Sequence, residues 1–184
     1  MKEKISVRDR LINTAADLFY DKGYNNTGIN EVIDKAEVAK ASMYAHFRTK
    51  EDLCIAYLQK MEGHFNTLLK DRVENADEGK AKVLAVFDYL GEFFTTKEFR
   101  GCWCINTMSE IPKDNQVIRS EIVKQKNGLK AYIQKIIEEN LTVADSQTLA
   151  RKIYLLYEGA VAESYLHQED WPIVEARQMA ELLL

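Results

Sequence analysis

The sequence predicts an all-α protein, and three observations carry that expectation. Apolar residues recur at helical spacing along most of the chain. Strand-type alternation is scarce. Only 8 Gly and 2 Pro punctuate 184 residues, and the 46% hydrophobic content is enough for a real core.

The elements follow in order. The first helix is expected from about Val7 to Lys22, with Ser6 and Asp9 as a capping pair and Gly23 as the stop. Its apolar face is Leu11, Ile12, Ala15, Leu18 and Phe19. A second helix is expected from about Gly28 to Lys35, capped by Thr27, and a third from about Lys40 to Phe47. A fourth starts after Thr49, which with Asp52 makes a capping box, and runs to about Glu74 with Leu53, Ala56, Tyr57, Met61, Phe65 and Leu68 inward. After a polar break come helices over about 80–95, 101–111 and 115–140. Ser146 is expected to cap an eighth, ending near Gln168, and Pro172 to sit in the first turn of a ninth.

Composition excludes several classes. No apolar run approaches the ~18 residues of a membrane span, and with a polar, charged N-terminal stretch no secretory leader is expected. Three Cys, an odd number, read as reduced thiols in a cytosol, so a cytoplasmic chain without membrane contact is expected. His46, His64 and His167 lack metal-ligand spacing, and no phosphate loop, dinucleotide fingerprint or nucleophile elbow is present. Neither an enzyme, nor a metal site, nor a cofactor is expected.

Residues 38–53 are the most informative stretch. A short helix of small and polar residues is followed by an aromatic and by a second helix opening at Thr49-Lys50-Glu51. Such a helix is poor core material and suits a DNA groove, where bulk would hold the backbone away from the phosphates. Three short helices in the first fifty or so residues make a helix-turn-helix unit. The net charge of −4 does not oppose this: residues 1–53 hold nine basic and nine acidic residues, so the acidic excess lies in the remainder. Lys2, Lys4, Arg8 and Arg10 crowd the start, and Lys40, Arg48 and Lys50 flank the short helix.

Residues 8–53 resemble the DNA-binding domain of the tetracycline-repressor (TetR) family of transcriptional regulators. The resemblance rests on Ala15-Ala16, Leu18-Phe19, Lys22-Gly23-Tyr24, Thr27, Ile29, Ile33, Ala36, Val38, Lys40, Tyr44, His46-Phe47 and Lys50-Glu51-Asp52-Leu53. In the remainder only the helix count, Gly101-Cys102 and 156–162 are similar. The resemblance implies a homodimer whose C-terminal helices bind a small-molecule inducer, occupancy changing the spacing of two heads on double-stranded operator DNA. It implies that Thr27 and Tyr44 contact phosphates and that Lys40 reaches phosphate or a base edge. Ala41, Ser42 and His46 would face the major groove, and Lys50 would pair with the backbone, while Met43 and Phe47 pack inward. The chain departs from the family at Glu37 and Ala41, where Gly is frequent, and at Ala39, where Ser or Thr would cap the third helix.

The division expected is a helix-turn-helix domain over 1–53 and a helical ligand-binding and dimerisation domain over 54–184. In the latter, Phe65, Phe87, Phe94, Trp103, Tyr154 and Tyr157 are candidate cavity walls, with His64, Asn106, Thr107 and Glu158 as polar groups; the alternative is ordinary core. Gly159, Ala160 and Ala162, with Ile173, Met179 and Leu183, are candidates for a two-fold interface. Cys102 and Cys104 stand two apart on a helix and cannot bond each other there. They are either small apolar core residues or, at Cys102, a thiol activated by the helix start. The reading is a ligand-responsive repressor. Its alternatives are a thiol-based electrophile or redox sensor acting through Cys102, and a helical interaction protein without DNA binding.

Overall fold

The computed structural model describes residues 5–184. Lys2 and Lys4 lie outside them. Nine helices and no strand occur among the described residues: α1 (Val7–Lys22), α2 (Ile29–Lys35), α3 (Lys40–His46), α4 (Lys50–Glu74), α5 (Lys80–Phe94), α6 (Trp103–Glu110), α7 (Gln116–Asn140), α8 (Ser146–His167) and α9 (Trp171–Leu183).

Local chemistry sets most boundaries. Ser6 Oγ accepts the Asp9 amide at 3.1 Å, and Thr49 with Asp52 forms the expected reciprocal box at 3.0 and 3.1 Å. Two expected caps are corrected. Thr27 does not cap α2; Gly28 stands there without a side-chain cap. Ser146 is the first residue of α8, and Asp145 caps it by accepting the Thr148 amide at 2.9 Å. Asp145 wins because its carboxylate reaches the third amide while sitting at the helix's positive end. Leu68 is another departure: it is exposed, since α4 turns its apolar stripe through Phe65, Leu69 and Val73 instead.

The turn between α2 and α3 is a Schellman motif. The Glu37 and Val38 amides donate to the Asp34 and Ile33 carbonyls at 3.1 and 3.2 Å. Glu37 takes φ 53°, the left-handed region that favours glycine, which is why Gly is frequent there in the similar family.

The chain divides into two compact units that are not consecutive stretches: residues 1–64 with 103–123, and 65–102 with 124–184. Both α4 and α7 run from one unit into the other. In the first unit α1 packs on α2, α3 and α6, around Leu11, Ala15, Val32, Met43 and Leu53. In the second, α5, α8 and α9 pack on one another around Phe87, Leu90, Ile153, Tyr157 and Ala180. The expected boundary at residue 53 falls inside α4.

Candidate nucleic-acid interface and its supports

The helix-turn-helix unit presents α3 outward. Lys40, Ala41, Tyr44, Ala45 and His46 are exposed and Ser42 is half-buried, while Met43 and Phe47 are buried. The period of α3 thus separates one inward residue per turn from a face of small and polar groups. Arg48 continues that exposed face, and Arg8 lies 5.4 Å over the Phe47 ring from behind.

Two of the residues expected at phosphates are engaged inside the head. Thr27 is 0% exposed, and its hydroxyl donates to the Gly23 carbonyl at 2.8 Å, with the Leu18 carbonyl at 3.3 Å. Lys50 Nζ donates to the Tyr24 carbonyl at 2.6 Å and lies 4.1 Å from that ring's centroid. Burial lowers the Lys50 pKa, opposed by the neighbouring Cys54 and Glu110. Burial also pushes the Tyr24 hydroxyl up to about 12, helped by Cys54 and Glu51.

The α1–α2 loop has a further support that the sequence did not disclose. The Glu110 carboxylate, at the end of α6, accepts the Asn25 amide at 2.6 Å, and the Asn25 side-chain amide donates to the Glu110 carbonyl at 2.6 Å. Gly23 stands beside this contact with φ 92°, and a Cβ there would lie 2.5 Å from Glu110 Oε1. Asn115, which caps α7 by accepting the Ile118 amide at 3.1 Å, also donates to Glu51 on α4. Buried Thr107 of α6 bonds the Tyr57 hydroxyl.

The candidate ligand residues fall in both units. His64, Trp103, Asn106 and Thr107 belong to the first, and Phe65, Phe87, Phe94, Tyr154, Tyr157 and Glu158 to the second. In the second unit Phe87 meets Tyr157 edge-on at 6.1 Å, Phe65 meets Tyr89 at 5.4 Å and Phe94 meets Phe99 at 5.3 Å. Glu158 binds Lys126 Nζ through both oxygens at 2.7 Å. Burial lowers the pKa of that ammonium, but Cys102 and Glu158 facing it outweigh this and hold it above the usual lysine value. Cys102 is half-buried and directly precedes α6, whereas Cys104 and Cys54 are buried. Burial pushes the Cys54 thiol up to about 12. Lys126, Tyr89 and Phe99 were not singled out in the sequence; Lys126 stands in a polar stretch of α7 beside Lys124, and nothing in that pattern signals a partner 32 positions away.

Of the candidate interface residues, Ala160 and Ile173 are buried within their own chain, while Gly159, Ala162, Met179 and Leu183 are exposed. An open apolar groove between α8 and α9 is lined by Lys152, Leu155, Leu156, Met179, Leu182 and Leu183. Leu155 and Leu182 are 68% and 87% exposed.

Comparison with known proteins decides the family. Residues 11–57 match the family model of bacterial regulatory proteins of the tetR family, and residues 79–180 match the tetracyclin repressor-like C-terminal domain. The chain is a TetR-family regulator. The transcriptional repressor NemR of Escherichia coli K12 is 25% identical over 177 residues, covering 92% of this chain and 89% of NemR. The repressor DhaR of Mycobacterium sp. GP1 is 24% identical over 173 residues, covering 91% and 86%. Among solved structures, the TetR-family regulator SCO4454 of Streptomyces coelicolor superposes with TM-score 0.88 at 22% identity, covering 96% of this chain and 87% of that one. The reduced form of E. coli NemR superposes with TM-score 0.84 at 21% identity, covering 97% of both. The TetR-family chain is thus a DNA-binding transcriptional regulator with an N-terminal helix-turn-helix head. None of its described helices is long and apolar enough to cross a membrane.

Proposed function

We propose that this regulator is a cytoplasmic homodimeric repressor, released from a two-fold operator by a small apolar molecule. The observation that carries the reading is α3: a helix whose exposed face is Lys40, Ala41, Tyr44, Ala45 and His46, backed by buried Met43 and Phe47. Small residues allow close approach to the groove floor, Ser42 and His46 offer groups for base edges, and the Tyr44 hydroxyl and Lys40 suit phosphates. Thr27 and Lys50 serve indirectly, by fixing the loop that aims α2 and α3. A second copy seated on the α8–α9 groove would cover Leu155, Met179 and Leu182, and the two-fold so made would present two α3 helices to one side of a duplex. The aromatic residues of the second unit suit an apolar ligand, and α4 and α7 give its effect a covalent route to the head. The ligand must favour one head spacing over the other, since equal affinity shifts nothing.

The test starts with a duplex enriched from a random library by the unmodified protein. Binding should fall steeply with salt, and Lys40→Ala should reduce the slope of log affinity against log salt by about one per subunit. An unchanged slope in a folded dimer removes Lys40 from the phosphates. A Cβ on Gly159 would meet nothing within 4 Å of its own chain. Gly159→Leu should therefore disturb the partner alone and yield a folded monomer by light scattering; a wild-type monomer ends the two-fold model.

One observation favours a second reading, a thiol switch at Cys102. The half-buried Lys126 ammonium facing it stabilises a thiolate. Maleimide should label Cys102 first and Cys54 last. If every effective inducer still works on the Cys102→Ser, Cys104→Ser double variant, release is non-covalent and the thiol reading fails.

A further inference from the structure

The matched head module ends at residue 57, yet the loop that aims its reading helices is bonded to residue 110. That loop, between Lys22 and Ile29, is held from three sides. Thr27 pins it to the carbonyls of α1 and its end, Lys50 reaches it from the start of α4, and Glu110 reaches it from the end of α6. The first two lie within the matched module, and the third does not. The Asn25–Glu110 contact is reciprocal, with a side chain and a main-chain group from each residue, both bonds at 2.6 Å. A charged acceptor makes the first of them stronger than a neutral bond. Gly23 leaves the space the carboxylate fills.

We propose that Glu110 is a positioning residue for DNA recognition: by holding Asn25 it fixes the pose of α2 and α3 on α6, although it touches no DNA itself. This rests on the DNA-binding reading. The physical reason is entropy. A two-headed reader binds one spacing, and a head free to pivot about its first loop populates that spacing for only a fraction of the time. Apparent affinity falls by that fraction. Glu110 thereby makes the end of α6 a working part of the head.

Charge gives the test its sign. Glu110 is acidic, so deleting it should by electrostatics alone tighten binding to a polyanion. Loss of the latch should do the opposite. The full-length dimer and the duplex enriched by the unmodified protein are used throughout. Glu110→Ala should weaken binding about tenfold, the size expected for a charge-assisted bond, with the salt slope unchanged because no phosphate contact is lost. Exchange of the Asn25 amide proton should quicken in the free protein. Glu110→Gln removes the same charge but keeps a side-chain oxygen to accept that amide, and should bind as well as the unmodified protein or better. Asn25 is exposed, so Asn25→Ala is expected to fold even where Glu110→Ala does not. It removes only the bond to the Glu110 carbonyl and should cost about threefold, and the double variant, which loses both bonds of the latch, should bind less well than Glu110→Ala alone. Equal binding by Glu110→Ala and Glu110→Gln overturns the proposal, as does unweakened binding by Asn25→Ala. Failure of the unmodified protein to enrich any duplex overturns the DNA-binding reading, and the latch with it.

Discussion

Two helices of this chain are built on opposite terms. The reading helix α3 has seven residues, one of them buried, and an N-cap alanine with no side-chain oxygen to offer. The core helix α5 has fifteen, with seven buried in a run from Val83 to Leu90 that omits only Asp88. A seven-residue helix does not persist alone in water, so α3 borrows its form from Met43 and Phe47 beneath it. The exposed face is thereby free of structural duty. The contrast teaches that a surface meant to read another molecule is supported from behind, whereas a helix meant to hold a fold supports itself by burial on several sides.

The largest effect should come from the self-supporting helix. Phe87 is fully buried, and Phe87→Ala should cost about 3–5 kcal/mol in urea unfolding. A cost under about 1 kcal/mol would mean the site collapses around the loss and the contrast is overdrawn. Met43→Ala should come next, at about 2 kcal/mol, because Met43 is equally buried but has a smaller side chain to lose. Unlike Phe87→Ala, it should also weaken DNA binding per folded dimer, measured by titration well below the melting temperature. Tyr44→Phe should change stability by no more than about 0.5 kcal/mol. Its binding loss of about 1 kcal/mol is that of one hydroxyl–phosphate bond. An unaltered affinity would take Tyr44 off the contact face. The smallest effect is a gain: Ala39 already has the extended backbone of an N-cap, so Ala39→Ser should stabilise the protein by about 0.5–1 kcal/mol. A neutral result would show that α3 is held wholly from behind.

Much of this was legible in the sequence, because periodic apolar faces and local caps are short-range signals. All nine helices were anticipated within one or two residues of their bounds. Reading caps failed where two oxygens competed, as at Asp145 and Ser146, since adjacent residues differ only in backbone angle. The reading of Thr27 as a cap failed for a related reason: its hydroxyl turned back to the Gly23 carbonyl. Exposure of α3 was foreseeable from its small residues. The partners of Glu110 and Lys126 were not, because Asn25 lies 85 positions away and Glu158 lies 32. A polar residue without periodic company announces neither its burial nor its partner.

The Asn25–Glu110 contact also sets a rule for anyone who would exchange heads between relatives. A cut after residue 57 looks natural, since the matched module ends there. Such a graft would bring a foreign first loop against the native end of α6, and a host residue chosen by another lineage would face a guest that never met it. Transplanting the loop and the last turn of α6 together would carry the old fit intact. The specificity of a chimera would then depend on two segments that no linear map of the protein places side by side.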